Sequence, residues 1–387
     1  MPLLLLLALA AFSSSLSVRI LDPIVPELAR DLGTQVTTVA LLASAFAFPC
    51  ALGQPILGPL GDAFGKARMI KVCLALLTVG GIAATLAPNI EFLFAARILS
   101  GFASGGIIPM CFATVGDRFE IQDRQVALSR ILSAILTGQL SGAIGAGLIA
   151  SETSWRVVIL LTAVTSLIAL GLAWRGLRPQ GGAKRAGFTF ETMLANYGRV
   201  FANPGAVVCY GAVFIEGMAI FGILPYLAAM LEENHTGSIR EAGFIISGMA
   251  AGGILYTFAV KLLLRRITYL TMIRLGGLVT ATGFGVLAAF LTWPPKAAAF
   301  VLIGFGFYMI HNSIQTQVTE LAPEARGAAM GLHAFSYFLG QAMGPVLYGF
   351  GLKNAGQVET IGVAAIVMLL LGLATAEGFK RRSQSSA

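Results

Sequence analysis

The stretch GPLGDAFGKAR at residues 58–68 carries the most information about the fold of this sequence. It lies between two long apolar runs, at about 38–60 and 69–87, and it includes Gly58 and Gly65. Because glycine adopts backbone conformations that other residues avoid, these positions permit a tight turn. The stretch therefore predicts a short hydrophilic loop that joins two long apolar helices.

The charged side chains of this loop have predicted partners. Asp62 can face a helix N-terminus, where the helix dipole favours negative charge. Lys66 and Arg68 can pair with Asp117, which lies at the end of another apolar run. The same bases are typical anchors on the cytoplasmic side of a membrane.

The composition indicates that the apolar runs lie in a membrane. Of the 387 residues, 57% are hydrophobic and 11% are charged, whereas a soluble domain carries about 25% charged residues. A soluble enzyme of two or three domains is therefore excluded. The net charge of +8 comes from bases scattered between apolar runs, which argues against nucleic acid as a partner.

Twelve apolar runs are each near the roughly 20 residues that one membrane-spanning helix needs. They lie at about 3–26, 38–60, 69–87, 91–114, 126–150, 157–174, 205–231, 242–263, 269–292, 297–319, 327–350 and 357–376. The predicted organisation is an N-terminal half at 1–175, a cytoplasmic linker at 176–204 and a C-terminal half at 205–387. Apolar residues from Phe190 to Phe201 are spaced for one face of an amphipathic linker helix.

Two short runs indicate that the halves are related. GQLSG begins at Gly138 and GQAMGP begins at Gly340, an offset of 202 residues, while Pro26 and Pro225 differ by 199. Parallel six-helix repeats are one arrangement found in secondary transporters.

The distribution of bases predicts the orientation. Loops on one side of the predicted membrane hold 18 of the 26 Lys and Arg residues, against 5 on the other side. The positive-inside rule then places both termini in the cytoplasm. The short loops are typical of bacterial proteins, so we expect a multi-pass protein of a bacterial inner membrane.

These features resemble the major facilitator superfamily of membrane transporters. The stretch at 58–68 is similar to the family pattern GxLaDrxGrrxxl between helices 2 and 3, with Ala63 where arginine is frequent. RILSGFAS at 97–104 resembles the pattern RxxqGxgxa. GQLSGAIGAG at 138–147 resembles the antiporter pattern gxxxGPxxGG, in which Ala143 replaces the proline. The likeness covers essentially the whole chain and is greatest to the twelve-helix drug/proton antiporter branch.

The resemblance implies an all-α membrane protein with twelve transmembrane helices in two six-helix halves, the major facilitator fold. It implies gating roles for the loop and its partner, namely Gly58, Asp62, Gly65, Lys66, Arg68 and Asp117. Small residues at Gly142, Gly344 and Pro345 are expected to form smooth contacts along which the halves move.

Ionisable residues inside the apolar runs are candidates for proton coupling, because a charge at mid-membrane costs at least about 2.5–3.5 kcal/mol. They are Asp22, Arg97 and Glu216. The resemblance places Arg97 in a central cavity. Asp22 can instead form a structural ion pair with Arg19, and Glu216 can instead be a neutral acid that bonds the backbone.

The candidate substrate-binding residues are polar or aromatic side chains expected to face that cavity. Four of them form a stripe at helical spacing in the tenth run, which either lines a cavity or bonds other helices. The resemblance favours cavity lining. The full set is Arg19, Gln139, Phe214, Tyr308, His311, Asn312, Gln315, Tyr337 and Gln341.

The sequence therefore predicts a monomeric, proton-coupled secondary transporter that exports small amphipathic or drug-like molecules by alternating access. Its expected partners are the substrate, protons and the lipid bilayer. A carrier of a sugar, amino acid, organic anion or lysolipid remains an alternative, as does a non-transporting sensor. The sequence contains no recognisable ATP site, nucleophile–base pair or metal-ligand spacing, so no enzyme activity, cofactor or metal is expected.

Overall fold

The computed structural model describes residues 2–178 and 190–385, and the regular elements within these ranges are helical. The N-terminal helices are α1 Leu3–Arg19, α2 Val25–Asp31, α3 Val36–Phe64, α4 Lys66–Thr85, α5 Ile90–Arg118, α6 Ile121–Glu152 and α7 Trp155–Gly176. After α8 Phe190–Phe201 come α9 Gly205–Phe221, α10 Leu227–Glu233, α11 Ile239–Arg266, α12 Tyr269–Ala289, α13 Trp293–Val318, α14 Arg326–Asn354 and α15 Gln357–Ser385.

Most of these helices can span a membrane. Within the described residues, 11 helical segments are long and apolar enough to do so. The helix α14 is equally long, with 29 residues, but buried polar side chains such as His333 and Gln341 make it less apolar. It completes the twelve predicted segments.

The first and seventh segments are each interrupted by proline. After α1 ends at Arg19, a 3₁₀ turn covers Asp22–Ile24 and α2 begins at Val25. The apolar run predicted at 3–26 is therefore not one continuous helix. Pro23 lies in this turn and lacks the N–H group that would bond the carbonyl oxygen of Arg19, which weakens regular helix at this point.

The same interruption recurs in the C-terminal half. The helix α9, a 3₁₀ turn at Leu224–Tyr226 and α10 begin and end 202 residues after their N-terminal counterparts. This is also the offset of the two GQ runs. Pro225 therefore corresponds to Pro23, and the predicted correspondence with Pro26 at an offset of 199 is wrong.

Glycines allow the helices of each half to pack closely. A Cβ atom at Gly142 would lie 2.8 Å from a carbonyl oxygen of α1, and one at Gly344 would lie 2.7 Å from a carbonyl oxygen of α9. The prediction that these glycines form the contacts between the halves is therefore wrong, because each glycine packs against the first helix of its own half. Close contact between halves occurs instead at Gly147, where a Cβ would lie 2.6 Å from the carbonyl oxygen of Ile239 on α11.

The bundle has two ends, which we name by their residues. The proximal end carries Leu3 and Gly65, and the distal end carries Asp31, Trp155 and Glu232. At the distal end, the Trp155 indole N–H donates to Asp31 at 2.8 Å. Arg30 donates to Glu232 at 2.7 Å and thereby joins α2 to α10, across the two halves.

The outward surface of the bundle is apolar. Phe258, Val207 and Phe350 are exposed by 82%, 75% and 70% respectively. Side chains of this kind are costly in water, but lipid tails are equally apolar. The surface fits a protein whose solvent is lipid.

Candidate functional site

Arg19 joins the two halves inside the bundle. Its Nη1 donates to the Asp22 carboxylate at 3.4 Å, and its Nη2 donates to the side-chain oxygen of Gln341 on α14. Its guanidinium carbon lies 4.2 Å from the ring centroid of Phe221 on α9. The predicted pairing of Arg19 with Asp22 is confirmed, and the two predicted substrate-binding residues Arg19 and Gln341 bind each other.

Phe221 was not predicted as a site residue, although the internal repeat could have identified it. It lies 202 residues after Arg19, so each residue contacts its counterpart in the other half. Gln341 lies at the same offset from Gln139, which is half-buried on α6. The two halves thus carry different side chains at the positions of Arg19 and Phe221 and the same side chain at those of Gln139 and Gln341.

Arg97 on α5 is buried against the first and third helices. Its Nη1 donates to the Ser17 carbonyl oxygen at 3.1 Å, and its guanidinium carbon lies 4.2 Å from the ring centroid of Phe46. Its Nε is unpartnered within the described part of the chain. The contact with Phe46 does not follow from the sequence, because only the packed fold brings that ring close.

Glu216 and His311 form a buried pair between α9 and α13. The distance from Glu216 Oε2 to His311 Nδ1 is 2.9 Å. The Glu216 side chain is fully buried, and that of His311 is 12% exposed. Among the described residues Glu216 Oε1 has no hydrogen-bond partner. A predicted proton-coupling residue and a predicted substrate-binding residue therefore share one site.

Aromatic rings connect this pair to Arg19. The Tyr337 ring centroid lies 5.0 Å from that of His311 and 5.5 Å from that of Phe221. Phe307 stacks on His311 at 4.8 Å. Van der Waals contact is thus continuous from Arg19 through Phe221 and Tyr337 to the buried pair. Phe221 and Phe307 are buried in this structure, whereas Tyr337 and His311 are half-buried and can pack on the apolar part of a ligand.

The predicted polar stripe lies on one face of α13. Tyr308, His311, Asn312 and Gln315 are each half-buried, while the intervening residues 309, 310, 313 and 314 are buried. Tyr308 also stacks on Tyr256 of α11, with ring centroids 6.3 Å apart.

Phe214 lies apart from these contacts. It is half-buried on α9, and its carbonyl oxygen faces Gly340 where α9 and α14 cross. The contacts of the described chain do not bring its ring to the Glu216–His311 pair.

The turn between α3 and α4 is shorter than the sequence predicts. The helix α3 continues through Phe64, so Gly58 is helical and the predicted loop contracts to Gly65, which has φ +95°. Lys66 contacts Asp117 at 2.5 Å, which confirms that pairing, whereas Arg68 is exposed. The side chain of Asp62 lies outside the described part of the structure.

A cavity of about 1210 Å³ lies between the halves at the distal surface, and its lining does not include Arg19, Gln341 or Glu216. Both halves line it, with Arg30 from α2 and Tyr226, Glu232 and Lys353 from the C-terminal half. Pro345, a predicted gating residue, also lines this cavity.

Residues 7–345 match the family model described as Major Facilitator Superfamily. The chain belongs to this superfamily. It is therefore a multi-pass integral membrane transporter rather than an enzyme, and its substrates are small molecules. The predicted fold class, twelve helices in the major facilitator fold, is confirmed.

Several superfamily members cover nearly the whole chain. The uncharacterized MFS-type transporter YwfA of Bacillus subtilis (strain 168) is 26% identical over 95% of this chain and 90% of its own length. Multidrug resistance protein 1 of the same organism is 22% identical over 87% of this chain and 86% of its own length. Quinolone resistance protein NorA of Staphylococcus aureus (strain Mu50 / ATCC 700699) is 23% identical over 93% of this chain and 91% of its own length.

A solved structure supports the architecture independently. A crystal structure of a mutant of the nucleoside transporter NupG matches with a TM-score of 0.81 at 15% identity, over 98% of this chain and 100% of that chain. At this identity the likeness shows the fold alone.

Proposed function

We propose that this transporter is a proton-coupled exporter of small amphipathic or drug-like molecules that works by alternating access. The observation that carries the proposal is the buried Glu216–His311 pair, in which one carboxyl oxygen has no partner in the described chain. We further propose that the protein acts as a monomer in a bacterial inner membrane, with both termini cytoplasmic.

A buried carboxyl group suits proton coupling because its two protonation states differ strongly in the cost of burial. The ionised form favours a conformation that admits water or a cation, and the neutral form favours a closed one. Proton binding to Glu216 can therefore bias the equilibrium between two conformations. A membrane potential adds about 2.3 kcal/mol per charge per 100 mV, which is enough to drive such a cycle.

The lining of the site supports an amphipathic substrate. Tyr337 and His311 offer half-buried aromatic faces, and Asn312 and Gln315 offer hydrogen bonds beside them. Two relatives are named for multidrug and quinolone resistance, which favours export of drug-like compounds.

Contacts between the halves support alternating access. Arg19–Gln341 lies inside the bundle, and Arg30–Glu232 lies at the distal end. If the termini are cytoplasmic, the distal end faces outward, and this structure corresponds to a state closed toward the outside. Opening that side requires Arg19 to leave Gln341 and Phe221.

A second candidate is an organic anion carrier. Arg19 is paired with the Asp22 carboxylate at 3.4 Å, whereas Arg97 donates to a neutral carbonyl group. An anionic substrate would balance the remaining positive charge.

Transport by the full chain in proteoliposomes tests the proposal. A fluorescent quinolone, an ethidium-type cation and a set of organic anions are offered under an imposed pH gradient. We expect Glu216→Gln or Asp22→Asn to reduce gradient-driven transport at least about tenfold while downhill exchange persists. Glu91→Gln, which changes an exposed carboxylate in the same way, is the control. Normal coupling in both variants would refute proton coupling through these carboxylates, and transport of anions alone would favour the second candidate.

A further inference from the structure

The Glu216–His311 pair continues into a third buried residue, His333 on α14. Its ring centroid lies 4.9 Å from that of His311, with the rings at 63°, and the residue is 3% exposed. Within the described residues, His333 Nε2 has no hydrogen-bond partner, and the same holds for Glu216 Oε1. The row of three side chains thus has an unpartnered polar atom at each end.

The row points from the interior toward the proximal end. Glu216 lies eleven residues from the start of α9, about 16 Å along the helix axis. His333 lies seven residues from the start of α14, about 10 Å along its axis. Both helices begin at the proximal end, so His333 is nearer to that end than Glu216.

Packing alone does not account for these residues. At the offset of 202, His333 corresponds to Ile131, which is fully buried, and Glu216 corresponds to Ser14. Ser14 is satisfied by the Ser104 hydroxyl at 2.6 Å. The N-terminal half therefore fills the same positions with an aliphatic and a hydroxyl group, whereas an unpartnered buried polar atom costs about 1–3 kcal/mol.

We propose that Glu216, His311 and His333 form one proton site, in which His333 exchanges protons between the pair and the proximal end. The two rings share no hydrogen bond in the described structure, so a proton that leaves His333 Nε2 reaches His311 Nε2 through one bridging water. The N–H bond at His311 Nδ1 then breaks as an O–H bond forms on the Glu216 carboxylate, and release reverses these steps. His311 is thereby assigned to proton transfer rather than to substrate binding.

Other titratable groups surround the site. Tyr337 on α14 lies beside His311, with ring centroids 5.0 Å apart, and Tyr308 lies three residues before His311 on α13. Arg19 of α1 is connected to Tyr337 through Phe221. The use of the site in transport rests on the proposed function, but coupled titration of the three residues does not.

Histidine titration in lipid bilayers tests the site directly. The chain contains three histidines, so ¹⁵N-histidine labelling of the full protein gives three resolvable rings. We expect His333→Asn to change the proton affinity of His311 about tenfold or more, and Glu216→Gln to change it as well. His235→Asn is the matched control, because His235 is exposed at φ +54°, a conformation that asparagine tolerates.

An unchanged His311 titration in His333→Asn would overturn the proposal. If His333→Asn does not fold, His311→Asn supplies the reciprocal measurement on His333. In proteoliposomes, His333→Asn should slow gradient-driven transport about tenfold and leave exchange intact. Coupled titration without proton-driven transport would refute the proposed function but support the site. Proton-driven transport with independent titration of the three residues would support the proposed function but refute the proton site.

Discussion

Two arginines join the halves, and the burial of each decides how much it stabilises the closed distal end. Arg30 and Glu232 have side chains that are 62% and 29% exposed, so water screens their attraction. Exposed ion pairs contribute about 0–1 kcal/mol. The contact of Arg19 with Gln341 is buried, and hydrogen bonds to charged groups contribute about 1.5–3 kcal/mol. Arg19 is therefore the stronger of the two connections.

The first prediction concerns Gln341. Gln341→Ala removes the contact of α14 with Arg19, so the distal-open population should rise about tenfold or more, given about 1.4 kcal/mol per factor of ten. Double electron–electron resonance with spin labels at Gln35 and Lys353, exposed on opposite halves near the distal end, should show longer distances.

Gln139→Ala is the control for this measurement, because Gln139 is the counterpart of Gln341 and is half-buried on α6. Its distance distribution should match that of the unsubstituted protein. Equal distributions for Gln341→Ala and Gln139→Ala would contradict a role of the Arg19 contact in distal closure.

The contacts of single residues could be predicted only where they are local in sequence. Arg19 and Asp22 are three residues apart, so their pairing follows from spacing on the chain. Glu216 and His311 are each unusual in an apolar run, but their pairing depends on how α9 packs against α13. His333 was missed because a single histidine in an apolar run has no distinctive spacing.

At the scale of elements, the positions of the spanning segments were predictable but their ends were not. The prolines Pro49, Pro55 and Pro59 all lie inside α3, where a soluble sequence would be expected to turn. In lipid, helix is retained because backbone groups must be satisfied within the protein. The predicted end of this helix, at about residue 60, is therefore too early, and the predicted loop is too long.

The second prediction concerns the turn between α3 and α4. Gly65→Ala places a Cβ at φ +95°, which is strained and costs about 1–3 kcal/mol. The midpoint of thermal unfolding, followed by tryptophan fluorescence in detergent, should fall. Gly58→Ala should leave it unchanged or raise it, because Gly58 is helical and no described atom lies within 4 Å of the added Cβ, and alanine favours helix by about 1 kcal/mol. Equal midpoints for both variants would contradict strain at Gly65.

At the scale of the whole molecule, aromatic rings connect the Glu216–His311 pair with the contact between Arg19 and Gln341. Phe221 contacts both Arg19 and Tyr337, and Tyr337 contacts His311. A change in the protonation of Glu216 that moves His311 would therefore change the packing of Tyr337 and Phe221. Phe221 supports Arg19, so the proton site and the contact between the halves can influence each other through packing.

The third prediction tests whether the halves must separate at the distal end during transport. In Arg30→Cys/Glu232→Cys, a short bifunctional thiol reagent should bridge α2 and α10, whose side chains meet there. The four native cysteines are buried, so the introduced pair should react first. Cross-linking should reduce transport at least about tenfold, because alternating access requires this side to open.

A reductant that cleaves the linker should restore activity, and each single-cysteine variant should be unaffected by the reagent. Because the proximal end stays free to move, quinolone binding from that side should persist in the cross-linked protein. Full transport with the bridge intact would contradict separation of the halves at α2 and α10.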